Sequence, residues 1–461
     1  MGAKIAAARA VGGLSRRAGR GGTSLPGKVL VRLDPRAISE LSARLPRGTV
    51  VVSATNGKTT TAAMVASVLG HAGISLVHNR AGANMPGGVA SALLAAVHSR
   101  RAIDGELGLF EVDEFWLDRI LPQLHPRVVL LGNLFRDQLD RYGELDTIAD
   151  RWAAAVSTLA PGSELVLNAD DPLIADLGRD AGNVSYFGVE DPAMAIPEMQ
   201  HASDSKHCRR CGAAYVYDVV YLGHLGRYHC PTCGQQRPTP EIAAERIALR
   251  GTRSAAFVLR TPDGYAEVKL PLPGLYNVYN ALAAAALCLK LGIALETVVA
   301  GLESVTAAFG RAETVTVGPV ELSILLVKNP AGANEILRTL ALEPAELDLL
   351  GVLNDRTADG RDISWVWDAD FELLGPRVRQ VTCAGTRAAE LALRLKYAGV
   401  PVDRLTVVPS LPEALDSALA SAGSGRLFVL PTYTALLELH SELAGRGLVR
   451  QFWETAGSGA R

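Results

Sequence analysis

Short apolar runs alternate along the chain with longer stretches whose apolar positions recur at helical spacing. The runs VVVSA, ISLVHN, LGLFEVD, VVLLGNL and SELVLNAD are too short and too uniformly apolar for surface helices, and read as strands buried on both faces. TTAAMVASVLGHAG and VASALLAAV lie among them with apolar residues at every third or fourth position, which predicts helices. Strand and helix in turn is the rhythm of an α/β domain with a largely parallel sheet. Farther on come AAFVLRT, YAEVKLPL and the apolar helix NVYNALAAAALCLKLG. A second series begins near Arg311, with VELSILLVKNP, ANEILRTLAL, LDLLGVLN, RQVTCAG, AAELALRLKYAG, LTVVPS, LPEALDSALASAG and RLFVLPTYTALLELH. The pattern divides the chain into a segment 1–45, an α/β domain over 46–310 and a smaller α/β domain over 311–461.

Composition narrows the class. A chain of 461 residues that is 48% hydrophobic has room for two or three buried cores. Its formal net charge of −2 argues against a nucleic-acid partner. No apolar run reaches the roughly 18 residues of a membrane span. Residues 1–25 are basic but lack a compact apolar core and cleavage site, so they are not read as a secretory signal. They are either a short basic amphipathic helix able to touch an anionic membrane surface or a solvated arm, and the second reading is the simpler.

Cysteine placement adds a metal site. Cys208 and Cys211 form one C-x-x-C and Cys230 and Cys233 another, with Gly212 to His229 between them. That spacing fits a four-thiolate zinc ribbon over 205–237, inserted in the first α/β domain. Two disulfides fit poorly with a chain lacking an export signal. AYVYDVVYLGHLGRYH, between the pairs, has the β-branched and aromatic content of a hairpin. A closed site of four thiolates holds up its own insertion. Cys288 and Cys383 sit in apolar stretches and read as core residues.

The stretch ATNGKTTT follows a buried strand and opens a helix. In that setting backbone N–H groups and the helix N-terminus can cradle phosphates, Lys58 can reach the outer phosphates, and the Thr59 hydroxyl can face Mg²⁺. The usual eight-residue phosphate loop has glycine where this chain has Val52, so the alternative is a strand-helix turn with an accidental Gly-Lys-Thr.

The loop resembles that of the Mur ligase family, written GTNGKTT, which never asks for glycine at the position of Val52. Resemblance implies ATP contacts at Thr55, Asn56, Gly57, Lys58, Thr59 and Thr60, although Ala54 replaces the family's first glycine. FEVDE resembles the family's acidic strand end, where Glu111 would join Thr59 in holding Mg²⁺. GNLFRDQLD resembles T-N-x-x-x-D-H-x-D at Asn133, Asp137 and Asp140, with Gln138 in place of the histidine. YNVYNALAA resembles H-N-x-x-N-A-x-A, in which Asn280 would contact adenine and Tyr276 replaces histidine. In FGRAE, Arg311 would reach the phosphates. The implied fold is a Mur ligase-like P-loop ATPase domain followed by a Rossmann-like C-terminal domain.

Three departures point to a branch within the family. The cysteine insertion is one, and LVKNPAGANEIL, without the acidic residue of D-Y-A-H-N-P, is the second. The third is NDRTADGRDISWVWDADFELL in the C-terminal domain. With HNRAGANMPGG and NLFRDQLDRYGE they resemble the amidating branch. The resemblance implies ATP-dependent conversion of the α-carboxylate of D-glutamate in the lipid II stem peptide to D-isoglutamine through an acyl phosphate. Ammonia would come from a GatD-type glutaminase partner, at the cytoplasmic face of the membrane. Asp362 would complete the partner's Cys-His site; by chemistry alone Asp355, Asp359 and Asp362 are turn formers, and Asp362 could cap a following helix. Trp365 and Trp367 read as packing or interface anchors. Two alternatives stay open: a ligase of the same superfamily that adds an amino acid without a glutaminase, and a non-enzymatic zinc-ribbon ATPase module.

Overall fold

The valine run at 50–52 lies in an inner strand of a nine-stranded sheet. The computed structural model describes residues 2–17, 24–79, 83–99, 102–137, 145–201, 203–306, 311–423 and 425–449, with the backbone alone at 14–17, 311 and 312. In chain order the strands are β1 Thr49–Ser53, β2 Leu76–His78, β3 Leu107–Glu111, β4 Val128–Leu131, β5 Glu164–Asn168 and β6 Val184–Val189. The hairpin β7 Val216–Leu222 and β8 Leu225–His229 comes next, then β9 Ile242–Arg250, β10 Ser254–Thr261 and β11 Gly264–Leu270. They lie in the order β11-β10-β9-β6-β5-β4-β1-β3-β2, with β7 and β8 apart as a pair. β1 to β6 run parallel, β9 joins β6 in the same sense, and β10 lies antiparallel to both β9 and β11.

Alternation within each strand serves two cores. Val50 and Val52 point into one cluster with Met64, Val65, Val68 and the helix Leu275–Lys290. Val51 points into the other, with Leu30, Leu93, Ile120 and Trp152. Continuous apolar strands follow from having helices on both faces. β1 lies between β3 and β4, so the connections leaving it diverge and open a crevice at the strands' carboxyl ends.

The first residues are not a solvated arm. Helices Gly2–Arg17, Leu25–Leu33 and Ala37–Ser42 pack against one another and on the helical layer that covers this face of the sheet, burying Ile5, Ala8, Leu30 and Ile38. Gly27 makes this close: a Cβ there would stand 2.0 Å from the Gly87 carbonyl oxygen in helix Pro86–Ala96. Among the described residues no helix is long and apolar enough to cross a membrane.

The second sheet is built from β12 Arg311–Val317, β13 Val320–Leu325, β14 Leu347–Val352, β15 Val378–Ala384, β16 Leu405–Val407 and β17 Arg426–Pro431. Its order is β12-β13-β17-β14-β15-β16, parallel except for β12 against β13. Thus the chain has an α/β architecture with two mixed sheets. Cys288 and Cys383 are fully buried, and burial pushes the Cys383 thiol up to about 12, as core cysteines require.

One buried ionic knot ties the insertion to the first sheet. Asp170, fully buried at the end of β5, accepts from Arg237 Nε at 2.5 Å, Tyr279 Oη at 2.6 Å and the Val189 N–H at 2.9 Å. Arg237 also reaches Glu190 at 2.7 Å. Asp170→Ala should cost about 3–5 kcal/mol, because it strands a buried guanidinium. Urea unfolding measures this, and a loss below about 1 kcal/mol would show the knot to be dispensable.

Candidate active site

β1 ends at Ser53, and the chain turns through Ala54 to Gly57 before helix Lys58–His71 begins. Gly57 has φ +86°, and a Cβ there would stand 2.0 Å from Asn280 Oδ1. Both facts demand glycine. Ala54 is buried without left-handed backbone: the positive-φ residues other than glycine, among those described, are His125 and Arg246. A Cβ at position 54 therefore carries no backbone strain.

Lys58 is buried and turned toward Glu114, with Nζ 2.6 Å from Oε2 and 2.5 Å from the Ala54 carbonyl oxygen. Burial works against its charge, but Glu114, Asp113 and Glu111 outweigh it and hold the Lys58 pKa above its ordinary value. Thr59 Oγ1 donates to Glu111 Oε1 at 3.1 Å, so the two expected Mg²⁺ partners meet. They offer a hydroxyl and a carboxylate oxygen, the hard donors Mg²⁺ prefers. Asn79 fixes that strand end by accepting from the Glu111 N–H at 2.9 Å and donating to the Glu111 carbonyl at 2.7 Å. Neither Glu114 nor Asn79 was singled out from sequence, though FEVDE and HNRAGANM contain them.

Across the loop, Asn56 and Asn133 exchange hydrogen bonds of 2.9 and 3.0 Å. Asn329 Nδ2 donates to Asn56 Oδ1 at 2.9 Å, and Lys328 Nζ meets Asp137 Oδ2 at 2.6 Å. Asn280 also accepts from Thr61 Oγ1 at 3.3 Å. Asn56, Asn133, Asn280 and Lys328 border a cleft, partly open to solvent, that reaches Thr60, Tyr276, Tyr279 and Glu335. The side chain of Arg311 and residues Gln138 and Asp140 lie outside what the structure describes; the Arg311 backbone pairs with Leu325.

Farther out, the Sγ atoms of Cys208, Cys211, Cys230 and Cys233 lie within 4.8 Å of one another. None is disulfide-bonded. The N–H of Cys233 leads the groups that hold the Cys230 thiol down to about 6, while at Cys211 the lowering by the Ala213 backbone is outweighed, by hydrogen bonding with Cys230 first, and the thiol is pushed up to about 12. Of the three aspartates in the C-terminal loop, Asp355 pairs with Arg387 and Thr386, and buried Asp359 accepts from Thr434. Asp362 is exposed and accepts locally, from the Ser364 N–H at 2.8 Å; the element that follows is a short 3₁₀ turn, Ser364–Trp367, whose cap residue is Ile363. That N–H holds the Asp362 carboxyl below its ordinary range. Trp367 is half exposed beside Tyr397, and Trp365 partly buried.

Residues 52–229 match the Mur ligase middle domain, and residues 326–436 match the MurT ligase C-terminal family. The chain is 33% identical over 436 residues to the lipid II isoglutaminyl synthase (glutamine-hydrolyzing) subunit MurT of Streptococcus pneumoniae, covering 94% of this chain and 95% of that protein. It is 34% identical to the MurT subunit of Staphylococcus aureus over 93% of this chain and 94% of that one. The chain belongs to the MurT family of Mur ligases. In fold it resembles a pseudomurein peptide ligase type C from Methanothermus fervidus, with TM-score 0.67, 23% identity and coverage of 88% of this chain and 80% of that one. Mur ligases are ATP-dependent carbon-nitrogen ligases that use Mg²⁺.

Within a MurT chain the loop geometry makes a paired prediction. Ala54→Gly should leave ATP affinity within about twofold, since no strain is relieved. Gly57→Ala should weaken it by at least about tenfold, because the left-handed turn and the Asn280 contact both fail. Calorimetric titration with ATP decides, and a large gain for Ala54→Gly would show that the loop is compromised.

Proposed function

We propose that this chain is the synthetase subunit that amidates the α-carboxylate of D-glutamate in the lipid II stem peptide, using ammonia from a GatD-type glutaminase. A carboxylate is a poor electrophile, so its oxygen first attacks the γ-phosphorus of ATP, the β–γ bridge breaks, and ADP leaves. Ammonia then attacks the acyl phosphate carbon, the carbon–oxygen bond to phosphate breaks, and loss of a proton leaves D-isoglutamine. Lys58 and Arg311 disperse charge on the transferring phosphoryl group, with the loop residues Thr55, Asn56, Gly57 and Thr60 around it. Thr59 and Glu111 would hold Mg²⁺, which adds charge neutralisation at the phosphates. Asn280 contacts the adenine.

Similarity along nearly the whole chain to subunits of this enzyme carries the reading. One feature of the geometry suits amidation in particular. Asp362 borders a small cavity with Lys328 and Asp137, and Lys328 also borders the nucleotide cleft. An exposed carboxylate that stays anionic at neutral pH is what a partner's Cys-His pair needs to orient its histidine. Zinc suits the four cysteines, because the 3.5 Å and 3.4 Å separations of Cys208–Cys233 and Cys211–Cys230 resemble the edges of a small tetrahedron of sulfurs. The division at 45 and 310 belongs to the same proposal, each sheet lying within one segment. The reaction takes place in the cytoplasm, at the inner face of the membrane where lipid II is held.

Co-purification with a candidate glutaminase, followed by mass measurement of lipid II after incubation with glutamine and ATP, tests the reading. The expected product has NH₂ in place of one carboxyl OH per stem. ATP turnover that needs a free amino acid, and neither partner nor glutamine, would instead mark an amino-acid-adding ligase. Asp362→Asn should leave ATP binding intact and abolish glutamine hydrolysis by the complex; normal hydrolysis would remove Asp362 from the mechanism. Metal analysis should find one equivalent of zinc, lost in Cys211→Ser.

A further inference from the structure

Beyond the Arg237 knot, the cysteine insertion has a second attachment to the ATPase domain. Its hairpin reaches much farther. β8 ends immediately before Cys230, and Leu225 stands five residues back along an extended strand, about 17 Å from the thiols. At that inner end Tyr221, Leu222, His224 and Leu225 are buried in the ATPase core rather than in the insertion. Leu222 and Leu225 border the nucleotide cleft, on whose wall Phe135, Tyr276, Tyr279 and Asn280 also stand.

Four separate segments pin this tip. Gly226 N–H donates to the Asp170 carbonyl at 2.9 Å, and Gly223 N–H to Gln200 Oε1 at 2.7 Å. Arg338 Nη1, from the helix Pro330–Ala341 of the second α/β series, donates to the Tyr221 carbonyl at 2.8 Å. Gly223 has φ +56°, and a Cβ there would lie 2.7 Å from the Phe135 ring, so Phe135 presses directly on the turn. A tip held this firmly, with two leucines bordering the cleft, behaves as a fixed wall.

We infer that the cysteine-clamped hairpin is part of the nucleotide site, and that Leu222 and Leu225 form the apolar wall against which the purine base of ATP packs. The inference rests on the reading that ATP binds in this cleft. Leu222 and Leu225 are specificity-determining residues for the base and touch none of the reacting atoms. The remote thiols act through β8, whose register they fix from its outer end.

The test uses the full-length chain and a fluorescent ribose-labelled ATP, displaced in turn by ATP and by inorganic tripolyphosphate. Leu225→Ala should weaken displacement by ATP about tenfold, as a truncated apolar pocket does, and leave displacement by tripolyphosphate within about twofold. Leu222→Phe, which adds volume at the wall instead of removing it, should show the same split, with thermal unfolding confirming that it is folded. Parallel weakening of both competitors would reduce the hairpin to a structural prop, and unchanged ATP affinity in both variants would remove it from the base site. A wild-type chain that binds no labelled nucleotide would overturn the ligase reading itself, whereas normal wild-type binding with indifferent variants sinks the hairpin assignment alone.

Discussion

The site exists where two sheets meet, and a chain of amides joins them there. Asn133, at the end of β4, holds Asn56 through reciprocal hydrogen bonds; Asn56 meets Asn329, the first residue before the helix Pro330–Ala341. Asn329 caps that helix through the Gly332 N–H at 2.8 Å and also approaches Asp137, which holds Lys328. Asn329 is buried and Asn56 and Asn133 partly so, and amides withdrawn from water are costly unless each finds its partners, so this series favours one relative placement of the loop and the helix Pro330–Ala341. Loop conformation, cleft and the position of Lys328 all follow from it.

Much of this was legible in the sequence, because it is written locally. A buried strand, a Gly-Lys-Thr turn and an apolar helix are encoded in consecutive residues, as are the hairpin between the cysteine pairs and the fresh strand series from Arg311. What escaped depends on distant partners. IAAERIALR has the alanine, glutamate and arginine content of a helix, yet forms β9 because β6 and β10 flank it. β6 was likewise missed, and the basic N-terminal residues looked solvated because the surface that buries Ile5 and Ala8 comes from elsewhere in the chain. Glu114 was visible as a residue but not as the partner of Lys58, which only the fold brings to it.

The departures from the family pattern show how local sequence and packing trade places. Where the family has its first loop glycine this chain has Ala54, and the strand beside it supplies the missing room: a Cβ built at Gly132 would stand 3.1 Å from that of Ala54. Where the family has histidine, Tyr276 borders the cleft, and its ring would lie 2.5 Å from a Cβ at Gly274. Gly274 is left-handed as well, with φ +83°, so it opens the helix and clears the ring at once. In both cases a larger side chain stands against a glycine, beyond the end of the neighbouring strand for Ala54 and at the cap of its own helix for Tyr276. Close-packed interiors leave no other way to gain a methyl or a ring without moving backbone. The loop and the helix Leu275–Lys290 can therefore keep the family's geometry with different residues, and the volume that matters is that of the pair and not of either position.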